Sequence, residues 1–230
     1  TRAMVSAADA VKVIESGQRV FVHQGCAQPA PLLEAMIERA CELRSVEVVH
    51  MALMGSGRYT LPEYCGSFRH NALFIGASVR EAVQERRADY IPIFLGEIEG
   101  LFLDGTMPLD VALLQTTLPD RHGYVSLGPS VDIALTASKV AKHVIAVTNP
   151  QMPRTHGDSF LHVSEIDVMV EGDFPLAELE PRVPMPEHRG IAQHLARMIP
   201  DGATIQMGIG AIPDTLLELL GNHKHLGVHS

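Results

Sequence analysis

The sequence predicts an α/β fold in which a mainly parallel sheet carries helices on both faces, laid down twice with the second copy truncated. Three observations carry this reading. Short β-branched and aromatic runs alternate along the chain with amphipathic stretches, the pattern of repeated βαβ units. At 230 residues, 46% hydrophobic and 20% charged, the chain has material for about one and a half domains with a packed core. That balance excludes a disordered chain, a collagen-like repeat and a disulfide-stapled miniprotein. The third observation is an internal echo, set out below.

The elements follow in order. Ala7 to Ser16 reads as a helix with Ala10, Val11, Val13 and Ile14 on one side and Gly17 as its stop. Arg19–His23 (RVFVH) reads as a buried strand. Pro31–Leu43 is helical, with proline in the first turn and Leu32, Leu33, Met36 and Ile37 on one face. Strands are expected at Val46–Met51, Ala72–Ile75, Tyr90–Ile93, Val111–Gln115, Val144–Thr148 and Glu165–Glu171, with helices at Val79–Arg86 and Val131–Ala141. Strands alternating with helices argue for a parallel sheet covered on both faces. Asn149–Gly157 (NPQMPRTHG) is loop. Four prolines in Phe174–Glu187 mark a semi-rigid linker. The expected domains are therefore 1–173 and 188–230, joined by 174–187. In the second, a helix spans His188–Ile199, a strand Thr204–Met207, and another helix starts at Pro213.

The echo relates the two domains. Gly17-Gln-Arg-Val-Phe-Val-His-Gln-Gly25 resembles Gly202-Ala-Thr-Ile-Gln-Met-Gly-Ile-Gly210, with glycines eight apart in both. Ser-Gly or Asp-Gly ends the preceding helix, and Pro-x-x-Leu-Leu-Glu follows at Pro29–Glu34 and Pro213–Glu218. Each copy then leads to a strand ending in Val-His, pairing Val49-His50 with Val228-His229. A duplicated βαβ unit leaves this trace.

Several function classes fall away. No apolar stretch reaches the roughly 18–20 residues of a membrane span, and the charged N-terminal residues lack the layout of a signal peptide. A net charge of −9 without a basic cluster argues against nucleic acid. Cys26, Cys41 and Cys65 are too few and too irregular for a disulfide framework or zinc site and suit a reducing cytoplasm. No metal ligand pair such as HExxH appears, and His223, His225 and His229 read as a polar turn. A dinucleotide fingerprint fails because Pro213 stands where its third glycine belongs, and no Walker motif or GxSxG elbow occurs.

The residues that remain for chemistry cluster after the second copy's first strand. Gly208, Ile209, Gly210, Ala211 and Ile212 form a glycine loop at a strand's carboxyl end, entering a helix. Its N–H groups and helix dipole suit a phosphate or an oxyanion; a tight turn without a ligand needs the same glycines. Gln206 offers a neutral amide donor to a carbonyl or carboxylate, or a hydrogen bond to the neighbouring strand. His23 ends the matching first strand, as a donor to a nearby carboxylate or as a structural residue. Arg154 and His156 are the cations of a polar loop, facing substrate or solvent.

On these residues the chain resembles the acetyl-CoA hydrolase/transferase family, in its 4-hydroxybutyrate and butyrate–acetate CoA-transferase branch. The resemblance lies in QMGIGAIPDTLLELL from Gln206, HLGVHS from His225, RVFVHQG from Arg19, ADYIPIFLGEI from Ala88, DVALLQTTLPDRHGYVSLG from Asp110 and NPQMPRTHGDSFLHVSEID from Asn149. It implies duplicated CoA-transferase domains and a ping-pong transfer of CoA between an acyl-CoA and a short-chain carboxylate through a glutamyl-CoA thioester. Gly208–Ile212 would receive CoA, and Gln206 and His23 would lie beside the nucleophile. The family's glutamate directly follows a His-Ser or His-Thr pair, here His229-Ser230, so these residues alone are expected not to form the covalent intermediate. Coenzyme A enters as substrate, with no metal or nucleotide cofactor expected, and the resemblance implies a cytoplasmic homodimer. An acyl-CoA hydrolase, with water replacing the acceptor, and a non-catalytic CoA-binding module are the alternative readings.

Overall fold

The computed structural model describes residues 4–179 and 183–229. Glu180, Pro181 and Arg182 of the expected linker, and Ser230 of the closing His-Ser pair, lie outside the described residues. The chain divides into two compact units, 1–178 and 179–230.

In the first unit the elements run β1 (Met4–Val5), α1 (Ala7–Ala10), β2 (Arg19–Val22), α2 (Ala30–Glu38), β3 (Val46–His50), β4 (Phe68–Ala72), α3 (Arg80–Gln84), β5 (Ala88–Tyr90) and α4 (Leu95–Leu103). There follow β6 (Val111–Thr116), β7 (Tyr124–Ser126), α5 (Asp132–Val140), β8 (His143–Thr148), β9 (Phe160–His162) and β10 (Val168–Glu171). Eight strands form one sheet in the order β1-β10-β8-β6-β2-β3-β4-β5, every pair parallel. The ribbon β7–β9 is antiparallel and separate.

Alternation along the strands divides the core in two. Val20, Val22, Val48, Leu113 and Val147 point to one face, where Leu32, Leu33 and Met36 of α2 cover them. Phe21, Val49, Leu114 and Ala146 point to the other, under Ile98 and Phe102 of α4 and Ile133 and Ala137 of α5. Both faces of the parallel sheet are thus closed, the condition under which strands read as unbroken apolar runs.

Local expectations shift in several places. The apolar letters at Ala72–Ile75 suggest a strand, but β4 lies upstream at Phe68–Ala72, where buried and exposed residues alternate; Phe74 is exposed. Likewise β5 is Ala88–Tyr90 rather than 90–93, β10 begins at Val168, and β11 (introduced below) stops before Met207. Helix α4 was not expected, because two glycines weaken its propensity; burial of Ile98 and Phe102, one turn apart, outweighs them. The first two helices end early: α1 gives way to a 3-10 turn at Val11–Val13, and α2 stops at Glu38.

The second unit contains α6 (Pro186–Met198), β11 (Thr204–Ile205), α7 (Ala211–Leu219) and β12 (Gly227–Val228), with β11 and β12 parallel. Its turn repeats that of the first unit bond for bond. The Gly17 N–H donates to the Arg44 carbonyl and that of Gly202 to the Lys224 carbonyl, both at 2.9 Å. Ser16 Oγ accepts from the Arg44 N–H and Asp201 Oδ1 from that of Lys224, again both at 2.9 Å. Ser45 and His225, the next residues, share left-handed backbone at φ 55° and 57°. This geometry corrects the lettered echo by one residue. Val20 faces Val48 and Ile205 faces Val228, so Val228 corresponds to Val48, and His229 to Val49 rather than His50.

A buried polar cluster lies within the first unit's core. His50 Nδ1–H donates to the Met51 carbonyl at 2.9 Å, which leaves Nε2 to accept from the Tyr59 hydroxyl at 2.5 Å. His70 Nδ1–H is shared between the Val48 carbonyl and Tyr59 oxygen, each at 3.0 Å. The two imidazoles stack at 4.2 Å. His70 Nε2 is buried without a partner among the described residues, so a proton placed there has no acceptor. Desolvation accordingly lowers His70 to about 4, and desolvation together with the neighbouring His70 charge holds His50 well below 6.5.

Because the unfolded chain protonates these rings first, stability rises with pH between about 4 and 6.5 and is lost as pH falls through that window. The His70 shift alone corresponds to about 3 kcal/mol. Urea unfolding at pH 7.5, 6 and 5 should show this slope, and His70→Asn should make it shallower, leaving the share of His23 and His50, while lowering stability at pH 7.5. An unchanged slope in the variant would refute the buried-histidine account.

Candidate functional site

The first unit's sheet fixes where a ligand can approach. From β2 the chain steps outward through β3 and β4 to β5, then returns with β6 on the other side of β2 and continues to β8 and β10. The reversal between β2 and β6 opens a crevice at their carboxyl ends, the usual ligand position in open α/β sheets.

His23 follows β2 there and is fully buried. Its Nε2–H donates to the Ser130 carbonyl at 2.6 Å, and Nδ1 accepts from the Gln115 backbone N–H at 3.3 Å. Both ring nitrogens are therefore engaged, in a neutral tautomer. Desolvation lowers its pKa to about 4, partly opposed by these two bonds. In this arrangement His23 ties β2 to β6 and to the loop before α5. Next to it, Gly25 has φ 62°, and a Cβ there would come 2.5 Å from Ser130 Oγ, so only glycine lets the two loops approach this closely. The Gln24 amide bonds the Asp132 carboxylate at the start of α5. Burial raises the Asp132 pKa, against two backbone N–H donors that lower it.

Neutral amides continue this wall. Asn149 Nδ2 bridges Gln115 Oε1 at 3.1 Å and the Phe174 carbonyl at 2.8 Å. Among the described residues, Gln24 Oε1, Gln28 Oε1 and Gln115 Nε2 are buried without partners. Sequence reasoning singled out none of these glutamines, because an amide in a strand-to-helix loop (Gln24, Gln28) or inside a strand (Gln115, in β6) carries no motif. Arg154, by contrast, is committed to the ribbon: it pairs with Asp120 at 2.8 Å and lies over the Phe160 ring at 4.7 Å. His156 is exposed beside the same ring.

In the second unit, Gln206 lies just past β11 and is exposed. Gly208 and Ile209 follow in the open, Ile209 almost wholly exposed. Gly210 caps α7 with φ 137° and ψ −179°, backbone that side chains cannot share without strain. Its carbonyl accepts the first helical bond, from Asp214 at 3.0 Å. Ala211 and Ile212 thus occupy the first turn, whose N–H groups have no intrahelical acceptor, and Pro213 has none to offer. Two donors and the positive end of a nine-residue helix remain for an anion or oxyanion. Among the described residues, no group of three or more His, Cys, Asp or Glu is placed to hold a metal ion, and no helix is long and apolar enough to cross a membrane.

Residues 1–180 match the acetyl-CoA hydrolase/transferase N-terminal domain family. The chain is 46% identical to a 4-hydroxybutyrate coenzyme A transferase of Clostridium kluyveri, over 99% of this chain and 53% of that protein. It is 43% identical to a succinyl-CoA:acetate/propanoyl-CoA:succinate CoA transferase of Fasciola hepatica, over 94% of this chain and 46% of the relative. Among solved structures, RipA from Yersinia pestis superposes with a TM-score of 0.90 at 26% identity, covering 98% of this chain and 55% of that one. A 4-hydroxybutyrate CoA-transferase from Porphyromonas gingivalis gives 0.78 at 31% identity, covering 98% and 53%. The chain spans about half the length of these relatives.

The two loop glycines should respond differently to substitution. A Cβ on Gly208 meets only Pro213 Cγ at 3.6 Å, ordinary contact, whereas Gly210 is constrained by its backbone. Gly210→Ala should cost about 1–3 kcal/mol locally, and Gly208→Ala no more than about 0.5 kcal/mol. Thermal unfolding of the second unit's transition in the whole protein checks this, and equal losses would show that the loop geometry is wrong.

Proposed function

Since the chain belongs to the acetyl-CoA hydrolase/transferase family, we propose that the whole protein moves CoA between an acyl-CoA and a free short-chain carboxylate of the acetate, butyrate or 4-hydroxybutyrate type. The observation that carries this reading is the glycine loop Gly208–Ile212 at the head of α7, in a chain matched along nearly its whole length by CoA-transferases.

Chemically, a glutamate carboxylate attacks the acyl-CoA thioester and expels CoA thiolate, leaving an acyl–glutamyl anhydride. The thiolate then attacks the glutamyl carbonyl and releases the free carboxylate, giving glutamyl-CoA; the acceptor acid runs the same steps in reverse. Each attack places negative charge on a carbonyl oxygen. The Ala211 and Ile212 N–H groups and the Gln206 amide supply donors for such an oxyanion without adding charge. The glutamate belongs directly after Ser230 in the whole protein, next to the strand end that β12 begins. Within the first unit, His23 is a neutral, fully bonded strut.

A hydrolase is the second reading, favoured by the family's own breadth: water in place of the acceptor acid resolves the same intermediate. Release of CoA measured with and without acetate separates them, and the transferase reading expects release to depend on the acid. Incubation of the whole protein with acyl-CoA, followed by hydroxylamine trapping and peptide mapping, should place one adduct on the residue after Ser230. Residues 1–230 alone should acquire none. An adduct on any residue within 1–230 would overturn the assignment.

A further inference from the structure

Cys26, Cys41 and Cys65 are free thiols, and Cys26, partly exposed, stands on the wall of a cavity of about 340 Å³. Two loops fix that wall. The Gly25 N–H donates to the Ala52 carbonyl at 2.7 Å, and Gly25 and Leu53 form a parallel bridge, so the chain after β2 runs beside the chain after β3. Gln28, Glu34 and Ser56 share one side of the cavity with Cys26, and Phe174 and Leu176 line another. Gln28 is 7% exposed. Its Nε2 donates to the Ser56 carbonyl at 3.1 Å, which settles the amide's orientation, because a flip would set two carbonyl oxygens against each other. Gln28 Oε1 is thereby left buried with no partner among the described residues. A buried carbonyl oxygen without a donor is costly, so a group held at Cys26 gains by bringing it an O–H or N–H.

We propose that Cys26 is a thiol-modification site that exchanges with the disulfide of a pantetheine-type thiol, Gln28 Oε1 accepting the amide N–H of the bound arm. This goes beyond CoA transfer, which uses no cysteine. The Cys26 thiolate attacks one sulfur of the disulfide. A new bond forms between Cys26 Sγ and that sulfur as the old sulfur–sulfur bond breaks, and the other half leaves as thiolate, regaining from solvent the proton that Cys26 gave up. Cys26 is oxidised to the mixed disulfide and the departing thiol is reduced. Two carbons separate the sulfur of a pantetheine arm from its amide N–H, so an arm anchored at Cys26 carries a donor to the same wall. The arm is uncharged, and its methylenes suit the apolar side at Phe174 and Leu176. No lysine, arginine or histidine lines the cavity, and Glu34 is anionic, so the carboxylates of glutathione find no cation there.

The test is incubation of the whole protein with pantetheine disulfide, CoA disulfide, glutathione disulfide or methyl methanethiosulfonate, which brings no hydrogen-bond donor. Intact mass and peptide mapping follow each adduct, with the exposed Cys41 and Cys65 as internal references. Pantetheine disulfide should modify Cys26 faster than either reference, and glutathione disulfide should not. Reaction of CoA disulfide at Cys26 would name the full cofactor as a source, and reaction of pantetheine disulfide alone the shorter thiol. Gln28→Leu should slow pantetheine exchange at Cys26 by about tenfold, the worth of one hydrogen bond, and leave the methanethiosulfonate rate unchanged. Circular dichroism confirms that the variant is folded. Adducts confined to Cys41 and Cys65, glutathione reacting at Cys26 as fast as pantetheine, or an undiminished pantetheine rate in Gln28→Leu overturns the proposal. So does an equal loss with methyl methanethiosulfonate, which would reduce Gln28 to a determinant of access.

Discussion

Strand β2 is the member on which the first unit depends. It pairs in parallel with β3 on one side and β6 on the other, and the chain passes it once going out and once returning. Parallel pairs require crossover connections, so the pairing of β2 obliges helices to cover both faces. Those helices in turn demand the apolar side chains that β2 sends to each face, Val20 and Val22 to one and Phe21 to the other. The same reversal parts the connections at its carboxyl end and places residues 23–28 at a crevice. His23 closes the base of that crevice by bonding both β6 and the loop before α5. Its burial is compatible with folding because it stays neutral.

The second unit is built on the same local rule. A left-handed glycine turn, a side-chain oxygen before it and a left-handed residue entering the next strand recur with matching bonds. Where the first unit fills the position after its strand with His23 and Gln24, the second has Gly208 and Ile209 and leaves the backbone open. One copy of the turn thus supports a packed polar wall, and the other exposes donors at a helix start. The two copies share this frame and differ in the residues that follow their first strands.

Around the loop after β2 the buried polar groups are mostly uncharged, namely glutamine and asparagine amides and a neutral imidazole, with the Asp132 carboxylate bonded to Gln24. That choice suits a chain of net charge −9, which repels a polyphosphate at long range although salt screens this beyond roughly 8 Å. Attraction must therefore be local. Neutral donors inside a low-dielectric wall keep their strength, and orphaned ones are costly enough to demand a partner. Arg154, the cation of the polar loop, is already spent on Asp120 and Phe160.

The parallel α/β class, the glycine loop and the family were legible in the letters alone, because unbroken apolar runs, left-handed glycines and long matching strings are local properties. The positions of β4 and β5 were not, since Phe68–Ala72 hides its alternation behind arginine, histidine and asparagine, and burial of His70 and Ala72 came only from the neighbouring strand. Helix α4 was invisible for a related reason: its glycines speak against a helix, and packing of Ile98 and Phe102 overrules them. The one-residue offset between the repeats likewise needed hydrogen-bond register, which letters do not record. By itself the sequence determined the kind of fold and the place of the glycine loop before α7. Tertiary structure alone decided that His23 is a strut, that Gln28 holds an unpaired oxygen in a cavity, and that His50 and His70 stack neutral in the core. These are matters of which groups lose water together, and residues far apart in sequence settle that jointly.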